Sequence, residues 1–341
     1  MAKIFRRPLR LLRFTLVWLV LLAGTAWAFG ALWFDFPVAA LRETLAVIFL
    51  AGVLVALIIV RPRWRGKMCV AIAITLVAGC WLMLQPSNDR NWQPDVAQTA
   101  WVEINGDEIT LHNVRNCDYR TETDYTPRWE TRTVRLSQLT GLDLAICYWG
   151  SPWMAHPVAS FQFADTPPIC FSIETRKEVG ETYSALGGFY RQYELIYIVA
   201  DERDVLRLRT NFRENEDVYL YRTTAPPAQA RGRFLEYVNA LNALHSRPRW
   251  YNALTTNCTT SIRTQRPANE RMPWDWRILV NGKGDEMMYE RHLVVTGDLP
   301  FAELKQRSHI NARARAAGLA PSFSTLIREG MPDRAAGGNP Q

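Results

Sequence analysis

The sequence has little cysteine, six in 341 residues. That excludes a disulfide-stapled scaffold, in which cysteines are dense in a short chain. Nineteen Gly and nineteen Pro fall without a period, which excludes a collagen-like rod. No internal repeat is visible. The common phosphate and metal signatures are also missing. There is no Gly-rich loop ending in Lys-Ser/Thr, no His-Glu-x-x-His, no paired Cys-x-x-Cys and no Gly-x-Ser-x-Gly elbow. Leu186-Gly187-Gly188 is too short to signify more than a turn. No metal and no cofactor are therefore expected.

What is present is apolar. Apolar residues make up 48% of the chain and Trp alone counts 13, which excludes a disordered chain. The net charge of +7, taken whole, suggests an acidic partner such as nucleic acid or an anionic membrane surface. Its distribution says otherwise. Residues 1–13 hold +5 (Lys3, Arg6, Arg7, Arg10, Arg13) and residues 61–67 hold +4 (Arg61, Arg63, Arg65, Lys67). Residues 35–43 carry −1, and residues 85–341 are left with −1. No nucleic-acid partner is expected of a nearly neutral domain.

Three uncharged apolar runs explain the division: Phe14–Phe34, Thr44–Val60 and Met68–Leu84. A spanning helix needs roughly 17–25 such residues. Residues 1–85 thus read as a three-helix transmembrane anchor. Basic residues stay in the cytoplasm. The N-terminus and the Arg61–Lys67 loop are then inside, and everything after Leu84 is outside. Ala26-Trp27-Ala28 resembles a signal-peptidase site. The run continues to Phe34, however, long enough to span, which favours an uncleaved anchor.

Residues 86–97 are polar, with two Pro, and read as a linker. Residues 98–333 read as an α+β domain, and 334–341 as a flexible tail. Trp101–Ile104 and Ile109–Leu111 flank an Asn-Gly and predict a hairpin. Further strands are expected at Thr131–Leu136, Leu142–Trp149, Val158–Phe163, Ile169–Thr175, Tyr193–Val199 and Val218–Arg222. In Ile169–Thr175, Ile169, Phe171 and Ile173 face one way and Cys170, Ser172 and Glu174 the other. Ala230, Phe234, Val238, Leu241 and His245 form one helical stripe, predicting a helix from Pro226-Pro227 to about His245. Shorter helices are expected at Asp201–Leu208, from Cys258 to before Pro267, and at Phe301–Ala317. Strands come first and helices later, which predicts α+β and not a doubly wound sheet.

Chemistry concentrates in Tyr251–Thr260. Asn257 is a favoured N-cap, which puts Cys258 in the first helical turn. The positive end of a helix there favours a thiolate and lowers the thiol pKa. The bland reading is a small buried hydrophobe. A nucleophilic Cys needs a base. Among five His, His112 lies in the hairpin, His245 on an apolar stripe, and His292 and His309 beside charged residues. His156 opens a strand, where its ring can meet a helix N-terminus. Glu174, on the neighbouring strand, or Asn257 could orient it. A side-chain amide such as Asn257, with the Cys258 N–H, could stabilise an oxyanion. Cys147 and Cys170 lie on nearby strands and could form a disulfide.

Several stretches resemble the Lnb N-terminal periplasmic domain family. They are Ile109–Asn116, Cys117–Arg120, Ser172–Arg176, Arg307–Asn311 and above all Tyr251–Thr260 with its Asn-Cys-Thr-Thr. The resemblance covers about residues 96–333. Cys117 departs from it, standing where a bulky aromatic is expected. The family is similar to circularly permuted papain-like thiol enzymes, in which the His strand precedes the Cys helix. The resemblance implies such a fold outside the bacterial inner membrane, in the periplasm, with Cys258 as nucleophile, His156 as base and Glu174 as polar partner. Family members named Lnb move an acyl chain of a lipoprotein through a thioester. The expected function is a membrane-anchored thiol acyltransferase or hydrolase on an envelope ester or amide. Its partners would be the lipid bilayer and an envelope lipid, lipoprotein or cell-wall substrate. The alternatives are a non-catalytic envelope or membrane-complex subunit with a structural Cys258, and a peptidase or amidase using the same pair.

Overall fold

The computed structural model describes residues 2–278 and 280–334, with side chains from residue 11 onward. The side chains of Lys3, Arg6, Arg7 and Arg10, and the expected tail beyond residue 334, lie outside the described residues. The chain divides into two compact units.

The first unit comprises residues 1–87, 182–193 and 250–253. It holds three helices, α1 (Ala2–Asp35), α2 (Arg42–Ile59) and α3 (Arg63–Met83). They supply three stretches long and apolar enough to cross a membrane, Leu11–Asp35, Ala39–Ile59 (with the 3-10 turn before α2) and Arg63–Met83. Leu21, Val53 and Val70 form the shared core. A Cβ on Gly66 would overlap the Ala56 carbonyl, so glycine permits α3 to lie close on α2. The loop expected at Arg61–Lys67 is helical from Arg63 onward. Arg and Lys are good helix formers, and the Lys67 ammonium rests 5.2 Å from the Phe14 ring and 4.8 Å from that of Trp18.

The other end of this unit is held by Arg191. Its N–H donates to Asp35 Oδ2 at 3.0 Å, and its guanidinium donates to the carbonyls of Trp81 (2.7 Å) and Leu84 (3.0 Å). Trp81 Nε1 donates to the same Asp35 oxygen at 2.5 Å. Tyr190 stacks on Phe34, and a Cβ on Gly30 would overlap the Tyr190 hydroxyl. Tyr251 N–H donates to Tyr193 O and Ala253 N–H to Gly188 O, which binds residues 250–253 to the same segment.

The second unit is mixed α+β. Its strands are β1 (Trp101–Asn105), β2 (Glu108–Arg115), β3 (Asp118–Tyr119), β4 (Tyr125–Thr126), β5 (Trp129–Arg135), β6 (Leu139–Trp149), β7 (Ala155–Phe163), β8 (Ile169–Arg176), β9 (Glu194–Asp201) and β10 (Glu216–Arg222). The main sheet runs β1-β2-β9-β8-β7-β6-β10, with β5 also on β2. All pairs are antiparallel except β2–β9. The β1–β2 turn centres on Gly106-Asp107, one residue later than the expected Asn-Gly. Gly106 has φ +62°, which glycine adopts without strain.

Helices follow: α4 (Glu202–Arg207), α5 (Pro227–Ser246), α6 (Cys258–Thr264), α7 (Gly284–Glu290), α8 (Phe301–Ser308), α9 (Asn311–Ala317) and α10 (Phe323–Leu326). Helix α5 packs Phe234 and Tyr237 on Phe161 and Phe171. The opposite face of the sheet is covered by Val205 and Leu206 of α4, Ala314 of α9 and Phe323 of α10. Both faces are buried, so Cys170 and Ser172 are as enclosed as Phe171.

Two expectations are corrected by packing. The single helix expected at Phe301–Ala317 breaks at His309-Ile310. There Ile310 N–H donates to Val218 O, and the Asn311 side chain bonds Val218 N–H and Glu216 O. The break thereby covers the free edge of β10. Of residues 86–97, read as a linker, residues 88–97 belong to the second unit and are docked. Trp92 and Val96 are buried, and the Arg176 guanidinium lies 4.2 Å over the Trp92 ring.

Candidate active site

Helix α6 starts at Cys258 because Asn257 caps it. Asn257 Oδ1 accepts from Thr260 N–H at 2.9 Å, and Thr260 Oγ1 accepts from Asn257 N–H at 2.9 Å. This reciprocal box satisfies first-turn donors and ends the extended chain at one defined residue. The expected capping role of Asn257 is therefore present. Its carbonyl oxygen is committed to the cap, so Asn257 is held at the helix start.

Cys258 is buried, 8% exposed. Its Sγ has polar contacts at 3.8 Å with Thr259 Oγ1 and at 3.8 Å with Asn281 Nδ2. Asn281 was not singled out in the sequence. Its Oδ1 accepts from Ala155 N–H at 2.8 Å, and its Nδ2 also donates to Thr259 Oγ1 at 3.2 Å. One side chain therefore holds both the thiol and the residue preceding His156. Gly282 makes this reach possible. A Cβ there would overlap the backbone of Pro152 and Trp153. The only local signal, Asn281-Gly282, marks a tight turn and says nothing of a thiol 23 residues away.

His156 stands near the start of β7, where β7 and β8 part. The two strands pair from Phe161↔Ile169 to Val158↔Ser172. Beyond that, β7 continues on β6 and β8 continues on β9. Helix α6 packs on both strands. His156 Nε2 lies 2.7 Å from Ser172 Oγ, and Ser172 Oγ donates to Glu174 Oε1 at 2.7 Å. The direct His156–Glu174 separation is 3.9 Å. Arg209, in the π-helical turn after α4, donates to Glu174 Oε1 at 3.0 Å and to Glu216 at 3.1 Å. Arg213 closes the row on Glu216 at 3.1 Å. Since Ser172 gives its proton to Glu174, the imidazole must donate from Nε2. The network therefore assigns the Nε2–H tautomer and leaves Nδ1 as the basic atom. Among the described residues, no hydrogen bond joins Cys258 directly to His156.

The electrostatics give a neutral pair. Burial, and then the Arg209 charge, push the His156 imidazole down to about 3. Burial alone would raise the Glu174 carboxyl, but Arg209 together with the His156 ring, Arg115 and Arg213 outweighs it and holds Glu174 well below the usual carboxylate range. Burial pushes the Cys258 thiol above its ordinary value, and the Thr259 hydrogen bonds offset this only in part. The direction is opposite to the lowering expected from a helix start. Here desolvation of the thiolate exceeds what one short helix returns.

Of the remaining cysteines, Cys117, Cys147 and Cys170 are buried packing groups. All six are free. A Cys147–Cys170 disulfide is excluded because β7 lies between β6 and β8. Two strand spacings place the Cα atoms about 9–10 Å apart, beyond the ~7 Å a disulfide spans. Cys117 is buried against Tyr119 and Leu208, where a larger side chain was expected. His245 accepts or donates to Thr99, His112 stacks on Trp101, and His309 meets Asp217. None of the three approaches Cys258 through any hydrogen bond. Among the described residues, no cluster of His, Cys, Asp and Glu could hold a metal ion.

Residues 125–282 match the family model of the Lnb N-terminal periplasmic domain. This is the family resembled by the sequence motifs, over a narrower span. The matched stretch contains His156, Ser172, Glu174, Asn257, Cys258 and Asn281. No curated protein and no solved structure matches the chain. The match and the three apolar helices fit a membrane protein with a periplasmic C-terminal domain.

Proposed function

With residues 125–282 matched to a periplasmic domain family, we propose a membrane-anchored thiol acyltransferase or hydrolase that acts on an envelope ester or amide. Helices α1 to α3 span the bacterial inner membrane with the N-terminus in the cytoplasm. The positive charge of residues 1–13 and 61–67 supports that orientation. The domain fold is a permuted papain-like one, a reading supported by the order of the His strand before the Cys helix.

The observation that carries the proposal is Asn281, which holds Cys258 Sγ and the Ala155 N–H beside His156. In the forward step, the Cys258 sulfur attacks the carbonyl carbon and its proton passes to His156 Nδ1. Asn281 Nδ2 and the Cys258 N–H stabilise the oxyanion. The intermediate collapses, the C–O or C–N bond breaks, and the imidazolium returns its proton to the leaving alcohol or amine. Water or an amine then attacks the thioester, loses its proton to His156, and releases the thiol. The Ser172–Glu174–Arg209 row stabilises the imidazolium formed in each half. Because the resting pair is neutral, His156 acts as a general base and not as the partner of a preformed thiolate.

One observation favours the second reading, a non-catalytic subunit: the thiol is buried. A burst assay separates the two. The full chain in detergent, mixed with p-nitrophenyl esters of graded acyl length, is expected to release a stoichiometric burst of nitrophenol. Cys258→Ala is expected to abolish it. An unchanged burst in Cys258→Ala, or none in the wild type at any chain length, supports the structural reading instead.

A further inference from the structure

Beside the thiol lies a cavity of ≈ 340 Å³, wholly within the second unit. Its walls are apolar: Leu144 of β6, Ala159 of β7, Tyr237 of α5, Ile262 of α6, Met288 of α7 and Leu293. It reaches Thr259, whose hydroxyl is 3.8 Å from Cys258 Sγ. The lining also carries charge. Arg233, Arg263, Arg266 and Arg271, all half-buried, belong to it, and the exposed Met272 next to Arg271 marks the rim. Glu236 is shared between Arg233 and Arg266. Arg263 and Arg271 instead donate to backbone carbonyls, of Met272 at 2.7 Å and of Arg266 at 2.9 Å. Neither forms an ion pair with a carboxylate among the described residues, so the rim keeps an excess of positive charge.

The same rim segment presents aromatic residues to solvent. Between Met272 and Ile278, which line the cavity, Trp274 is 64% exposed and Trp276 50%. Exposed Trp at an apolar opening is the composition of a membrane–water boundary. A cationic rim on an apolar slot fits an amphiphile with one negative headgroup, since guanidinium pairs with phosphate in fork geometry. A neutral peptide would leave the rim charges without partners, and a soluble anion would leave the slot empty.

We propose that this cavity binds the acyl chain of an anionic phospholipid, with its phosphate against Arg263 and Arg271. The inference rests on the proposed acyl chemistry only for what happens to that chain at Cys258, and binding itself does not need the thiol. The lipid enters chain first, Trp274 and Trp276 lie at the headgroup level, and the ester is brought towards Thr259 and the thiol.

The test uses the full chain in nanodiscs of phosphatidylglycerol or phosphatidylcholine, each doped with its own analogue carrying a diazirine at the acyl end. After illumination, labelled peptides are mapped by mass spectrometry. Adducts are expected on the slot residues Leu144, Ala159, Ile262, Met288 and Leu293, several-fold stronger with phosphatidylglycerol. Arg263→Gln and Arg271→Gln should each cut that labelling about fivefold, the effect of one basic side chain on an anionic lipid surface. Arg263→Lys and Arg271→Lys, which keep the charge, should retain most of it. Leu144→Trp should fill the slot and abolish labelling while the rim stays intact. Cys258→Ala should label as the wild type does, so a failed burst with intact labelling would sink the thiol chemistry and leave this inference standing. Equal labelling of the cavity by the two lipids, adducts in the second unit that fall only outside the cavity, or cavity labelling that survives Leu144→Trp would overturn it.

Discussion

Ser172 Oγ lies 2.7 Å from both His156 Nε2 and Glu174 Oε1, and it has one proton to give. In the proposed reaction it passes the Glu174 charge to the imidazole. Ser172→Ala should therefore lower kcat on the order of 10²-fold, the lower end of what general-base catalysis contributes, with KM nearly unchanged. A drop confined to KM would remove Ser172 from the relay. The neutral thiol gives a second prediction. Alkylation of Cys258 by iodoacetamide should climb as pH passes above 9.0, the ordinary thiol value, with no reactive plateau in acid. A preformed thiolate–imidazolium pair would instead react near pH 5. The stability prediction has a definite sign. Unfolded His156 takes up a proton below about 6.5, whereas the folded imidazole stays neutral down to about 3. Stability is thus complete above about 6.5 and lost as pH falls towards 3. Between pH about 6.5 and about 5.5 the loss from His156 is about 1 kcal/mol. Denaturant titrations at the two pH values should show that increment in the wild type and not in His156→Gln.

Helix α6 is seven residues long and depends on its cap. Asn257→Ala should cost about 1 kcal/mol, as loss of a capping side chain usually does. Asn257→Asp should restore stability, because a carboxylate can also accept from Thr260 N–H. Much of this element scale was legible in the sequence. Asn257 announced the helix, the stripe from Ala230 to His245 announced α5, and alternation in Ile169–Thr175 put Ser172 and Glu174 on one side. What was not legible depends on contacts between distant segments. The break at His309-Ile310 exists because Val218 and Glu216 of β10 offer edge groups 92 or more residues earlier in the chain. Asn281 reaches Ala155 and Cys258 only because Gly282 lets two backbones touch. The thiol pKa was anticipated from the helix end alone, and the burial that reverses it comes from the packing of α6 on the sheet.

At the scale of the whole molecule, the charge distribution was legible because it is a property of the chain and not of its packing. The three helices found are the three apolar runs read from the sequence. Residues 182–193, where the sequence marks only a turn at Leu186-Gly187-Gly188, are tied into the first unit by Arg191. Arg191→Ala should destabilise that unit by about 1.5–3 kcal/mol, the range for a hydrogen bond to a charged group, and should open residues 182–193 to protease in detergent. Unchanged protection would show that Arg191 does not hold the segment.

The central claim is that Cys258 carries an acyl group in turnover. Intact-mass analysis of the protein extracted from membranes, before and after neutral hydroxylamine, tests it most directly. A hydroxylamine-labile acyl mass mapped to Cys258 is expected in the wild type and should be lost in His156→Gln, because the neutral thiol needs the base to attack. Cys258→Ala that retains full cellular function, with no labile adduct on the wild-type protein, would contradict the account.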